Sequence, residues 1–227
     1  MNISKNLIQV QNNIQAACSR CGRDYKDVTL IAVSKTKPLE ELQKAYDCGV
    51  RDFGENKVQE ILKKAPAMPA DARFHMIGHL QRNKVRQVLP YVTMIHSVDS
   101  VRLALEIQRE AQRANRAIDI LLEINVAGEE SKFGFSPEEV MDALSEIRDF
   151  SNVHVCGLMT IAPFVENSEE NRPIFKKLFQ LCVDIKRKNI DNSSMAVLSM
   201  GMTGDYVVAV EEGATMVRVG TGIFGAR

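Results

Sequence analysis

The sequence predicts an α/β protein folded as a (β/α)8 barrel, with one extra helix at its amino end. Three observations carry this reading. Strand-like and helix-like segments alternate eight times along 227 residues, with no composition break to separate two domains, so residues 1–227 are read as one domain and 1–22 as a helix packed on the barrel. Some of the strand segments are unbroken apolar runs, the pattern of a sheet buried on both faces. Glycine-rich turns follow the seventh and eighth strands, the loops that frequently form a phosphate cup in such barrels. A doubly wound open sheet normally needs fewer strands and gives no reason for those glycines.

The elements follow from period and punctuation. Ile3, Leu7, Val10, Ile14, Ala17 and Cys21 recur at spacings of three and four, an amphipathic helix ending near Gly22. Its Cys18-x-x-Cys21 pair has no second CxxC and follows no strand, so it reads as helix-face packing. Val28–Val33 is the first strand, and Leu39–Cys48 a helix closed by Gly49. Val50–Phe53 is a short second strand, ending in Gly54-Glu55-Asn56, and Val58, Ile61 and Leu62 mark the next helix. Arg73–Ile77 is the third strand, Asn83–Leu89 a helix, and Met94–Val98 the fourth strand. Asp99 or Ser100 caps a long helix to about Asn115. Ile118–Val126 is the fifth strand; Ser136-Pro137-Glu138-Glu139 then opens a helix with a capping box. Val153–Met159, Met195–Ser199 and Met216–Val219 complete the strands, with helices over about 170–188 and 205–212 between them.

Apolar content of 45% and charged content of 26% are those of an ordinary globular chain. Zero formal net charge removes any global electrostatic case for nucleic acid. No apolar run approaches the roughly 18–20 residues of a membrane span, and the first residues lack the compact apolar core of a signal peptide. Five scattered cysteines fit reduced thiols in the cytoplasm.

Chemistry concentrates at the predicted carboxyl ends of the strands. Lys35 follows the first strand, on the face of Ile31 and Val33, where α/β proteins place their ligands. A neutral amine there can attack an aldehyde, and both Lys37 and apolar surroundings favour that form. From this stretch alone, a lysine marking the strand end in solvent is the more economical reading. The turns 199–205 and 220–222 add converging N–H groups, with Ser199, Thr203 and Thr221 as the expected phosphate hydroxyls. Arg218, inside an apolar strand, needs a partner: either a buried ion pair, for instance with Glu123, or a ligand's ring nitrogen or anionic group. An amine, a phosphate cup and an adjacent arginine together fit pyridoxal 5′-phosphate (PLP).

The segments IAVSKTKP (31–38), FGEN (53–56), FHMIGHLQRNK (74–84), GLMTIAP (157–163), LSMGMTGD (198–205) and VRVGTGIFGAR (217–227) span nearly the whole chain in order. They resemble the PLP homeostasis protein family, relatives of the barrel domain of alanine racemase. Lys57 departs from the aromatic expected after Gly-Glu-Asn. The resemblance implies a PLP-binding barrel in which Lys35 forms a Schiff base, Asn56 sits near the ring, and His79 and Met159 line the mouth. It implies further that Ser199, Gly201, Thr203, Gly220 and Thr221 hold the phosphate while Arg218 faces the pyridine nitrogen.

Other constellations point elsewhere. On a strand, His75 and His79 lie about 13 Å apart, too far for one ion. His96 and His154 read as satisfied core or mouth residues, and no metal is expected. Lys132, on the loop after strand five, reads as solvated or as a second amine for transient aldehyde capture. Arg82, Lys84 and Arg86 form a solvated helix face without the interleaved aromatics that nucleic acid would use.

A ring nitrogen facing an arginine stays unprotonated, which weakens the electron sink that racemisation or decarboxylation needs. Related racemases also use a tyrosine from a separate carboxyl-terminal β domain as second base. Tyr25, Tyr46 and Tyr91 lie in or beside helical segments, and Tyr206 is expected to point away from the ring. The expectation is therefore a cytoplasmic protein, a monomer, that stores, buffers or delivers PLP to PLP-dependent apo-enzymes with little or no turnover. The alternatives are a slow single-base amino-acid racemase and, more distantly, a Schiff-base aldolase acting on a sugar phosphate.

Overall fold

Helix α1 (Ile3–Cys21) buries Ile3, Leu7, Val10, Ile14, Ala17 and Cys18 along one face and stops where Gly22 turns left-handed at φ 70°. The computed structural model describes residues 2–129 and 133–225. Beyond α1, eight parallel strands close a barrel in chain order: β1 (Thr29–Val33), β2 (Asp52–Glu55), β3 (Arg73–Met76), β4 (Val92–Val98), β5 (Ile118–Glu123), β6 (Val153–Met159), β7 (Ser193–Met202) and β8 (Met216–Val219). The outer layer comprises α2 (Leu39–Asp47), α3 (Val58–Lys64), α4 (Val85–Val88), α5 (Val101–Arg113), α6 (Val140–Ile147), α7 (Arg172–Arg187) and α8 (Tyr206–Glu211), and α9 (Thr221–Phe224) follows β8. No helix among the described residues is long and apolar enough to cross a membrane.

Alternation along each strand divides the apolar residues between two layers. Phe53, Phe74, Ile95, Leu122, Leu158 and Val217 pack outward in the large core shared with the helices. Met94, Leu121, Cys156 and Met159 form a smaller cluster on the opposite, inward face. Each fully buried large side chain contributes about 1.5–3 kcal/mol, so the outer core dominates stability. That leaves the inward face free to carry polar groups.

The structure departs from the sequence reading where tertiary pairing overrides local signals. β2 begins two residues later than expected and takes in Gly54 and Glu55, because pairing with β3 sets Asp52 opposite Arg73 and Glu55 opposite Met76. A Cβ on Gly54 would lie 2.9 Å from side-chain atoms of Ile31 and Ile77, so this glycine marks tight packing within a strand rather than a turn. β5 ends at Glu123; Asn125 turns the chain, its backbone N–H donating to the Phe135 carbonyl. The capping box forms, with Ser136 N–H donating to Glu139 Oε2 at 2.8 Å, yet regular helix starts only at Val140. The expected 83–89 helix is broken into α4 and flanking 3-10 turns, one of which carries Pro90. β7 runs on to Met202 through an irregularity between Ser199 and Met202.

A close backbone approach between β6 and β7 yields a stability test. A Cβ added at Gly157 would lie 1.8 Å from the Val197 carbonyl oxygen, a contact only backbone movement can relieve. Gly157→Ala is expected to cost about 3 kcal/mol in urea unfolding; a change under about 0.5 kcal/mol would contradict this packing.

Candidate functional site

The candidate site lies at the carboxyl end of the barrel, where the loops after β1, β7 and β8 meet. β1 pairs with both β2 and β8, with Ile31 opposite Arg218 and Ala32 opposite Val219. Closure therefore carries the chain's amino-terminal strand to the loops that precede its last residues. Lys35 follows β1 on this rim; it is half-buried and has no hydrogen-bond or ion-pair partner among the described residues.

The turn bearing Lys35 is held from behind. Thr36 sits at φ 65°, unusual for a β-branched residue and a sign that its surroundings fix the conformation. Its N–H donates to Glu60 Oε2 at 2.7 Å. The buried Lys64 ammonium donates to the Ser34 carbonyl at 2.8 Å, to Glu55 Oε1 at 2.7 Å and to Glu60 Oε2 at 2.6 Å, while Ser34 Oγ donates to Glu55 Oε1 at 2.7 Å. Removing one partner from such a buried network leaves the others uncompensated, which makes it stiff. Lys37 is directed elsewhere, donating to the Phe224 carbonyl at 2.8 Å.

The cup expected after β7 and β8 is assembled around Thr203. Its Oγ1 accepts the N–H groups of Gly220 and Gly222 at 3.2 and 3.4 Å, tying the two loops together. Gly201 takes φ 89°, and a Cβ there would stand 2.5 Å from that of Ala209. Gly220 lies against Val33, just before the Lys35 turn, with its would-be Cβ 3.3 Å from the Val33 carbonyl oxygen. Asp205 props the loop, accepting the Met202 N–H at 2.6 Å and the Asn171 side-chain amide at 2.8 Å. Thr221 opens α9 beside Gly220.

Ser199 is not a cup residue in this structure. It is fully buried inside the barrel, where its Oγ lies 2.9 Å from His96 Nδ1 and accepts from Arg218 Nη1 at 2.6 Å. Beyond it His96 Nε2 meets His75 Nδ1 at 3.0 Å, and His75 Nε2 meets Asp52 Oδ1 at 3.0 Å. Arg73 closes the chain at the foot of the barrel, donating to both Asp52 oxygens at 2.8 and 2.6 Å.

With both imidazoles neutral, the relay has one direction, set from its carboxylate end. Asp52 only accepts, so it takes the His75 Nε2–H; His75 Nδ1 then accepts from His96 Nε2, and His96 Nδ1 accepts the Ser199 hydroxyl, which itself accepts from Arg218. Burial alone would raise the Asp52 carboxyl, but hydrogen bonds from Arg73 and His75 outweigh it and hold it at about 2. Burial lowers Arg218 to about 10 despite the nearby acids Asp205 and Glu123, so it stays charged at neutral pH. Its two hydrogen bonds, the second from Nη2 to the Thr160 carbonyl at 2.8 Å, leave N–H groups unspent.

Glu123 forms no salt bridge with Arg218, so the ion pair weighed from sequence gives way to the Ser199 and Thr160 bonds. Its carboxyl is buried without a hydrogen-bond partner among the described residues. Burial, reinforced by Asp99 and opposed by Arg218, pushes it up to about 7. Asn56 lies at the rim with its backbone against Gly78, whose Cβ would fall 2.5 Å from the Asn56 carbonyl oxygen. His79 stands half-exposed above, 3.0 Å from Asp99 and stacked on Phe133 at 3.9 Å between centroids. Met159 is fully buried in the inner apolar cluster, deeper than the mouth position the resemblance implies. Lys132 falls outside the described residues. Tyr206 points away as expected, its hydroxyl accepting from Asn13 of α1 at 2.8 Å.

Comparison with known proteins follows the same lines. Residues 6–227 match the sequence model of the family described as alanine racemase, N-terminal domain. A pyridoxal phosphate homeostasis protein of Aquifex aeolicus is 45% identical over 228 residues, covering 100% of this chain and 99% of that one. A solved structure from Bifidobacterium adolescentis aligns with a TM-score of 0.93 at 37% identity, over 98% of this chain and 94% of its own. PipY of Synechococcus elongatus, solved with PLP bound, aligns with a TM-score of 0.85 at 32% identity, over 98% of this chain and 100% of its own.

The relay makes stability depend on pH. Burial, with His75 and Arg218 close by, holds His96 well below the usual imidazole range, so the ring is neutral in the folded chain. As pH falls below the ordinary imidazole value, the unfolded chain binds a proton that the folded chain refuses. Stability then falls by up to about 1.4 kcal/mol per pH unit from this residue alone. His96→Asn is expected to flatten that slope between about pH 6 and pH 4 in urea unfolding while costing about 1–3 kcal/mol at pH 8. An unchanged slope would contradict a neutral, buried His96.

Proposed function

Because the chain belongs to the alanine racemase N-terminal domain family, and within it to the pyridoxal phosphate homeostasis proteins, we propose that it binds PLP and stores, buffers or delivers it with little or no turnover. The observation that carries this reading is the convergence on one rim of a free lysine, a two-loop glycine cup and a buried arginine with unspent donors. The residues fit the cofactor: Gly201, Gly220 and Gly222 let the two loops pack closely on Ala209, Val33 and Val219, Thr203 joins the loops, and Gly220 lies against Val33, two residues before Lys35.

When bound, PLP supplies an aldehyde that an amine can take up and a pyridine ring that accepts electrons when its nitrogen is protonated. Lys35 supplies the amine. The loops 201–204 and 220–222 orient the phosphate through backbone N–H groups and the hydroxyls of Thr203 and Thr221. Asn56 and His79 would lie toward the ring at the rim, with the buried Met159 deeper, and Arg218 would offer its unspent N–H groups to the pyridine nitrogen. An arginine that stays charged and only donates gives that nitrogen no proton to keep, which supports binding over catalysis.

The tyrosines support the same reading. Tyr206 is engaged with α1, Tyr46 bonds Asp71, and Tyr25 and Tyr91 precede β1 and β4, at the far end of the barrel. None is placed to act as a second base from the mouth. In this reading the protein is a cytoplasmic monomer with free thiols, and apo-enzymes that need PLP are its transient recipients.

Purified protein is expected to show a near-visible absorbance band that borohydride removes, and Lys35→Ala is expected to abolish it. A band that survives in Lys35→Ala would overturn the assignment of the amine. Chiral assay of the loaded protein over a panel of amino acids is expected to give no robust turnover. Racemisation at ordinary enzyme rates, about 1 per second or faster, would instead establish the single-base racemase with Lys35 as its base.

A further inference from the structure

The amino-terminal foot of the barrel, opposite the Lys35 rim, carries a cluster that the PLP site does not use. Asp119 and His154 are second residues of β5 and β6 and are direct cross-strand neighbours. Cys156 follows two residues on, so it shares His154's face. Register explains why the three positions are close; it does not explain why an imidazole, a thiol and a carboxylate occupy them. Met94, Leu121, Met159 and Cys156 itself pack together as an apolar cluster on the inward face.

The geometry is that of ligands around a common centre. Cys156 Sγ lies 3.4 Å from His154 Nδ1, and Asp119 Oδ1 lies 3.4 Å from that same nitrogen. All three donor atoms fall within 4.8 Å of one another. A hydrogen-bond relay would use both ring nitrogens, as His75 and His96 do; here two partners aim at one nitrogen, which holds at most one proton. Around a tetrahedral zinc, bond lengths of about 2.0–2.3 Å place nitrogen about 3.4 Å from oxygen and about 3.6 Å from sulfur. Both observed 3.4 Å edges lie within about 0.2 Å of these values. The side chains of His154 and Asp119 are 43% and 49% exposed, leaving a path for an ion and for a water as fourth ligand, while Cys156 is buried.

We propose that Asp119, His154 and Cys156 form a metal site at the foot of the barrel, for a borderline divalent ion of the zinc type. Thiolate and imidazole together select against calcium and magnesium, and one carboxylate completes a three-ligand set open at its fourth position. Coordination releases the thiol proton to solvent and leaves the ion's charge unchanged, so no redox partner is involved. From sequence no metal is expected, Cys18-x-x-Cys21 reading as helix-face packing and His154 as a satisfied core or mouth residue. The cross-strand alignment of β5 with β6 is what brings these three donors together.

Cobalt(II) reports on the site directly, because tetrahedral thiolate coordination gives d–d bands in the red, clear of any PLP absorbance. Titrating the full chain with Co2+ is expected to develop these bands to about one equivalent, with Zn2+ then abolishing them. His154→Ala is expected to weaken Zn2+ binding at least about tenfold, and Cys156→Ser to remove the sulfur-dependent bands. Zn2+ is expected to raise the melting temperature of the parent chain but not that of His154→Ala, a partly exposed change that keeps the test valid if Cys156→Ser misfolds. A double Cys18→Ser, Cys21→Ser variant is expected to bind as the parent does. Absent bands, unchanged affinity in His154→Ala, or loss of binding in the Cys18/Cys21 variant would overturn the site.

Discussion

Arg218 donates to Ser199, and with both imidazoles neutral every hydrogen bond beyond it runs the same way, through His96 and His75, to a carboxylate anchored by Arg73. That one-directional chain is the constraint on which the site depends. It crosses the barrel interior, where an unpaired polar group costs about 1–3 kcal/mol, and it leaves each named ring nitrogen and hydroxyl with a partner. It also fixes both histidine tautomers and locks the guanidinium in place. An arginine so held can only give hydrogen bonds to whatever occupies the pocket.

Two further devices make the rim. Closure of β8 onto β1 brings Lys35 beside a cup built from residues nearly two hundred positions later. The Lys64, Glu55 and Glu60 network then stiffens the turn that carries the amine, holding Thr36 in a conformation its side chain disfavours. Rigid support behind a free functional group is what binding without rearrangement requires. Glu123 is the exception, a buried acid without a hydrogen-bond partner, raised to about 7 beside Asp99 and Arg218.

Much of this was legible in the sequence because it is local. The period of α1, the β-branched run of β1, the capping box at Ser136 and the glycine turns each announce themselves within a dozen residues. The amine and the cup could be placed on one rim because a closed barrel requires it. In sequence Ser199 stands among the cup residues, whereas in space it faces His96, 103 positions away. Met159 sits deeper than a mouth residue, and β5 is shorter than its apolar run suggests. Periodicity identifies the face a side chain occupies; it does not say which residue meets it across the barrel. The relay, the Lys64 network and the cluster at Asp119 are all cross-strand or cross-element partnerships of that kind.

In the proposed site Arg218, held by Ser199 and Thr160, offers the ligand hydrogen-bond donors only. Loading the protein with PLP labelled with nitrogen-15 in its ring and recording the pyridine nitrogen resonance tests it most directly. The account predicts the shift of an unprotonated, hydrogen-bonded pyridine throughout the stable pH range. A protonated pyridinium in the bound state would contradict it.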